Sequence, residues 1–237
     1  MIAISLCMCA SVQAYDLLYK DTLDTSSKNT LSFTLAYKTG GGMDEYGLSN
    51  NFDYFFDSRL ISLSAGLMLS RDDMQITTSA VAWPLYFLHS RIGAGLIAHG
   101  EWYRDISIRG DILPGIYWQC KPCSWFSLNA NVHKLYMFRH VFAMGSAYPL
   151  IKNSTMAAEA TFLFYLPFNT DVFLGISTYE RYRYMIFGAT SFYLGCAYHF
   201  DKNISFVAEA IAHYIDFFTL SGNFEDAEFS LTARVQF

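Results

Sequence analysis

Residues 226–237 read D-A-E-F-S-L-T-A-R-V-Q-F. Phe229, Leu231, Ala233, Val235 and Phe237 fall on one face of an extended strand, and Glu228, Ser230, Thr232, Arg234 and Gln236 on the other. Side chains alternate across a strand, so this segment has one oily and one wet face. A soluble antiparallel sheet also alternates. What decides the fold is that the pattern recurs along the chain.

Working backwards, Ile204, Phe206, Ala208, Ala210 and Ala212 oppose Ser205, Glu209 and His213, with Val207 and Ile211 as exceptions. Phe192, Leu194, Cys196, Tyr198 and Phe200 oppose Ser191, Tyr193, Gly195, Ala197 and His199. The same alternation runs through 154–166, 124–134, 91–103, 59–70 and 30–38. The second faces are rich in Gly, Ser, Ala and Asn and poor in Lys, which suits a narrow, partly filled lumen. The first faces are Leu, Phe, Ala, Val and Tyr, which suits lipid. About ten residues of alternating hydrophobicity between turns is the pattern of a transmembrane β-barrel, and only helices and closed barrels satisfy every backbone polar group in a bilayer. After residue 14 no run of about 18 or more apolar residues appears, so helical spans are not expected.

Composition agrees. The 237 residues are 53% hydrophobic and 18% aromatic but only 16% charged, against about 25% charged in ordinary soluble domains. A mean hydropathy of +0.20 is low for a helical membrane protein and suits half-polar strands. The 17 Tyr and 21 Phe fit aromatic girdles at two membrane interfaces. A formal net charge of −5 without a basic cluster lends no support to nucleic-acid binding.

Residues 1–14 (MIAISLCMCASVQA) read as a secretory signal ending in the small-residue V-Q-A, although no Lys or Arg precedes Lys20. A short polar lead, 15–29, precedes a single barrel domain, 30–237. Thirteen strands are visible by eye, whereas single-chain bacterial barrels have even numbers. The weakest is 141–149, which holds Gly145 and Pro149. At roughly 17–19 residues for a strand with its share of turn, the chain accommodates about twelve strands, with ten as the alternative. The fold class expected is therefore all-β, a closed antiparallel transmembrane barrel.

The alternating residues Phe229, Leu231, Ala233, Val235 and Phe237 resemble the C-terminal assembly signal of bacterial outer-membrane barrels, a class that includes small porins, oligosaccharide channels and OmpW-like barrels. The resemblance is one of class. It implies an outer-membrane location with both termini periplasmic, and lipid and the barrel-assembly machinery as partners. It also implies a passive channel for small solutes, without a cofactor. A closed barrel that binds a surface ligand is the alternative, and an outer-membrane enzyme the third. Parity turns Lys38, Arg109, Asp111, Asn129, Asn131, His133, Glu159, Glu209, His213, Glu228 and Arg234 inward as pore-lining candidates. Both signs are present, so strong ion selectivity is not implied.

Other motifs carry less. Cys120-Lys121-Pro122-Cys123 lacks a βαβ context and reads as a tight connector, its cysteines able to pair in an oxidising periplasm. The aromatic and basic run 179–184 reads as an interface girdle. His89-Ser90, His99 with Glu101 and His213 with Asp216 match no catalytic motif, and no metal-ligand spacing is present. If 204–218 and 226–237 form a hairpin about Ser221 and Gly222, Glu209 stands opposite Arg234 and His213 opposite Ser230.

Overall fold

In the computed structural model, residues 28–40, 47–70, 73–103, 107–141, 152–178, 190–214 and 224–237 are described. They form twelve strands: β1 (Lys28–Gly40), β2 (Gly47–Asp57), β3 (Ile61–Ser70), β4 (Asp73–Phe87), β5 (Ser90–Tyr103), β6 (Ser107–Cys123), β7 (Phe126–Val141), β8 (Lys152–Leu166), β9 (Thr170–Ser177), β10 (Thr190–His199), β11 (Ile204–Tyr214) and β12 (Phe224–Gln236). Each pairs antiparallel with its sequence neighbours, and β12 pairs with β1, so the sheet closes into a barrel. The seam is completed by two backbone bonds, Asn29 N–H to Phe237 O at 3.1 Å and Phe237 N–H to Asn29 O at 2.9 Å. Closure leaves no unpaired edge.

The alternation found in the sequence is the alternation of the wall. On β1, Leu31, Phe33, Leu35 and Tyr37 are exposed, while Thr30, Ser32, Thr34 and Ala36 are buried. On β12, Phe229, Leu231 and Val235 point out, and Glu228, Ser230, Thr232 and Arg234 point in. Large apolar side chains thus cover the outside and polar ones fill the inside, the reverse of a soluble protein. Val207 and Ile211, the two exceptions on their strand, are inward and belong to an apolar cluster.

One end of the barrel carries tight turns: 58–60, 88–89, 124–125, 167–169 and 200–203. Two of them hold left-handed residues without glycine, Leu88 and His89 (φ 38° and 61°) and Phe168 and Asn169 (φ 66° and 55°). A two-residue hairpin turn of type I′ needs positive φ at both positions, which matches the twist of the strands.

Several expectations need correction. The closed sheet has twelve strands with β7 beside β8; Val141 ends β7, and the rest of the segment 141–149 lies outside the described residues. The Cys120–Cys123 segment is not a connector. It is the last stretch of β6, the turn is 124–125, and both cysteines are free. The β11–β12 register also differs. Glu209 stands opposite Ser230, Arg234 opposite Ser205 and His213 opposite Asp226. The centre of the hairpin thus lies about two residues nearer the N-terminus than Ser221 and Gly222. An even slip keeps every face and changes every partner. Glu209 and Arg234 therefore share the inner face but are not cross-strand neighbours. The run 179–184 falls outside the described residues.

Candidate functional site: the barrel interior

Of the inward candidates, Asp111, Asn129, Asn131, His133, Glu209, His213, Glu228 and Arg234 are buried inside the barrel, and Glu159 is inward and part-exposed. Lys38 stands opposite Glu228, and Arg109 opposite Glu101 and Arg139, in the backbone register. The side chains of Lys38 and Arg109 lie outside the described residues.

The tight-turn end is closed on one side by a polar cluster that the sequence did not single out. Arg91 donates from Nη1 and Nη2 to the two oxygens of Asp57 at 3.3 and 3.2 Å, and from Nε to Gln119 Oε1 at 2.5 Å. Ser62 Oγ donates to Asp57 at 2.5 Å, and Trp83 Nε1 donates to Ser62 Oγ at 2.7 Å. The guanidinium lies over the Trp83 ring, 4.0 Å from its centroid. Trp83 is inward by the parity of β4, like Val81, and an irregularity between Ala82 and Leu85, at Pro84, reverses that parity beyond it. Arg91 was visible as inward by parity. Asp57 reads as a turn residue, because it is the last residue of its strand.

Mid-barrel, Glu159 is held by two neutral donors: Asn131 Nδ2 to Oε2 at 3.1 Å and the Tyr193 hydroxyl to Oε1 at 3.1 Å. The Tyr193 hydroxyl also bonds Thr161 Oγ1 and lies within electrostatic range of Glu209. Tyr117 on β6 lies within electrostatic range of the same carboxylate and stacks edge-on against His133, ring centroids 5.0 Å apart.

Two apolar clusters narrow the interior. Leu163, Phe173, Tyr193, Ala197, Val207 and Ile211 pack on the β8–β11 wall, and Phe55, Val81, Trp83 and Tyr117 on the β2–β6 side. Inward glycines let these rings lie along the wall. A Cβ on Gly175 would sit 2.2 Å from the Tyr193 ring, and one on Gly195 2.2 Å from the Phe173 ring. Each ring covers the glycine directly across the strand pair.

Most inward side chains are therefore tightly packed. Near mid-strand, the inward residues that keep partial exposure include the small Ser64, Ser79, Gly95 and Gly115, with Ile97 and Glu159, while Glu101, Lys121, Tyr165 and His199 keep it nearer the strand ends. Ser64 and Ser79 bond each other at 2.6 Å on adjacent strands. The mid-strand residues of this set lie on the β3–β8 wall. On the same wall, both polar atoms of the Asn129 amide, the Tyr117 hydroxyl and His133 Nδ1 are buried with no hydrogen-bond partner among the described residues. A polar group left unpaired costs about 1–3 kcal/mol, so groups of this kind are satisfied by water.

The catalytic candidates separate. His89 is exposed in a turn and Ser90 is buried. His99 meets Gln75 at 3.4 Å and Asp111 at 3.4 Å rather than Glu101. Ser191 Oγ and His213 Nδ1 share a hydrogen bond of 2.7 Å, buried on the inner wall, and Asp216 lies outside the described residues. At the tight-turn end His199 Nε2 pairs with Asp171 Oδ2 at 2.8 Å. Among the described residues, no group of three or more His, Cys, Asp or Glu is placed to hold a metal ion.

No protein-family model matches the chain, and no curated protein matches it. Its fold is that of solved outer-membrane barrels. A KdgM porin, solved in complex with disordered oligogalacturonate, superposes with a TM-score of 0.63 at 8% identity, covering 88% of this chain and 99% of its own. A NanC porin gives 0.60 at 10% identity, covering 86% and 98%. The outer membrane phospholipase A of Escherichia coli gives 0.52 at 8% identity, covering 87% and 95%. The architecture is thus shared by channels and by an enzyme, and at these identities the likeness is one of fold.

Proposed function

We propose that the protein is an outer-membrane channel through which small solutes pass by diffusion. The observation that carries this is the run of small, part-exposed inward residues, Ser64, Ser79, Gly95 and Gly115, bordered by buried polar groups that need water. Passage is limited by width, because aromatic rings and the Arg91–Asp57 cluster fill much of the section. By the usual arrangement of such barrels, the tight turns and both termini face the periplasm and the longer connections face outward. The outward alternation of Phe229, Leu231, Ala233, Val235 and Phe237 is the feature the assembly machinery reads, and the apolar exterior is the lipid contact.

The first test is swelling of liposomes that carry the refolded protein, with neutral sugars of graded size. We expect entry of the smallest and exclusion of disaccharides and larger. Equal exclusion of all of them, glycerol included, contradicts the proposal. That outcome favours the second reading, a closed barrel that presents its outer connections to a surface ligand. The near-complete burial of most inward side chains is the observation behind it. Hydrolysis has less behind it: the one Ser–His pair at bonding distance among the described residues is buried on the inner wall, away from lipid.

A further inference from the structure

We infer that Lys134, beside Tyr136, forms a docking site on the outside of the barrel for the anionic phosphate headgroup of a membrane lipid. The inference concerns the outer wall and does not depend on solutes passing through the inside. Three observations carry it.

The first is charge. Among the described strand residues, Lys134 is the one that carries a charge on the outer wall. Its neighbours on that face of β7, Val132 and Tyr136, are exposed, and so is Met156 directly across on β8. The acidic residues of the flanking strands, Asp111 on β6 and Glu159 on β8, point inward, so those strands offer the ammonium no carboxylate. Its contact within the wall is the Tyr136 ring, 5.3 Å from Nζ to the centroid.

The second is depth. β7 leaves the tight turn at Phe126, and Lys134 lies eight residues further on. At about 3.3 Å per residue and a tilt of about 40°, that places it roughly 20 Å above the turn. The apolar band of such barrels is about 25 Å tall, flanked by aromatic girdles. Lys134 thus sits in the upper part of the band, and Tyr136, one outward position higher, belongs to the upper girdle. The side chain leans toward Tyr136, away from the tight turns. That is the direction in which a lysine keeps its stem in hydrocarbon and lifts its charge to the headgroups.

The third is the wall itself. In register, Pro114 stands opposite Lys134, and proline has no N–H to give the ladder. The β6–β7 pairing runs from Ile112 with Tyr136 to Gly115 with His133 and is interrupted between them. A missing donor is costly in hydrocarbon and cheap where polar groups reach the backbone. The interruption and the lone cation mark the same level of the wall as interfacial.

The chemistry of the occupant follows. Val132 and Ile116 lie on the tight-turn side of Lys134, both exposed and apolar. A ligand there is apolar below and negative above. A lysine ammonium is a compact point charge with three donors, suited to the oxygens of a phosphate. The match is an anionic lipid of the leaflet at the end with the longer connections.

The test is native mass spectrometry of the refolded protein in detergent, titrated with dioleoyl phosphatidate or with dioleoyl phosphatidylcholine, whose choline offsets the phosphate charge. We expect the first phosphatidate to bind wild type about fivefold more tightly than Lys134→Gln, the factor given by about 1 kcal/mol for one basic residue at an anionic lipid surface. Lys134→Arg should keep the binding, and phosphatidylcholine should not distinguish the three proteins. Lys134→Gln removes a charge from the lipid face, so it should fold, and heat-modifiable gel mobility checks this; Lys134→Met serves as a second neutral variant. Equal phosphatidate binding by wild type and both neutral variants overturns the inference. Release of the lipid by inorganic phosphate at equal concentration overturns the lipid as occupant in favour of a free anion. A dimer present in wild type and lost in Lys134→Gln overturns it in favour of a second copy of the chain. Channel current should be the same in wild type and Lys134→Gln, so failure here leaves the channel reading standing.

Discussion

At the scale of single residues, the interior is held by groups that depend on one another. Arg91 and Asp57 are both almost wholly buried, and each answers the other's charge. Removing one member of a buried pair strands the other, which costs about 3–5 kcal/mol. Arg91→Met should therefore lower the urea midpoint of the refolded protein in detergent. Pairing it with Asp57→Asn should recover much of the loss. Equal loss in the single and double variants would show that the pair is not coupled. The glycines act by what they lack. Gly175→Val places a side chain where the Tyr193 ring lies, so the ring must swing into the lumen and leave Glu159. Overpacking of this kind costs about 1–3 kcal/mol. The expected readout is a smaller conductance in a folded barrel, and an unchanged conductance counts against rings laid along the wall.

At the scale of strands, the two faces make opposed predictions for adjacent residues. Leu63 is exposed on the outside of β3 and Ser64 is part-exposed on the inside. Leu63→Arg should destabilise by about 2–4 kcal/mol if it sits near mid-membrane, the penalty for a charge on the lipid face. Ser64→Arg should fold and obstruct the path. Comparable destabilisation by both would reject the assignment of faces. Ser191, inward as well, is a poorer site for such a test, because it is packed against His213. The strand scale is also where the sequence was most and least legible. Alternation on 30–38 and 226–237 showed which residues turn inward, because a period of two needs no knowledge of partners. It could not show that Glu209 faces Ser230, since the partner depends on where the loop turns. Nor could it show Trp83 and Asp57 meeting Arg91, because those contacts join β2, β4 and β5 and depend on their registers.

At the scale of the molecule, closure of β1 on β12 leaves the outside to lipid and the inside to polar groups. The question of function reduces to whether water passes through the remaining space. On the proposed reading that space runs along Ser64, Ser79, Gly95 and Gly115, with the rings of two apolar clusters confining it. The most direct measurement is single-channel current from Ser64→Cys, with Cys120, Cys123 and Cys196 replaced by Ser, before and after a small water-soluble thiol reagent. The account predicts small discrete steps that shrink or vanish once Cys at this position is modified, while the Ser64 parent is unaffected. An absence of steps in the parent, or steps untouched by complete modification, would contradict it.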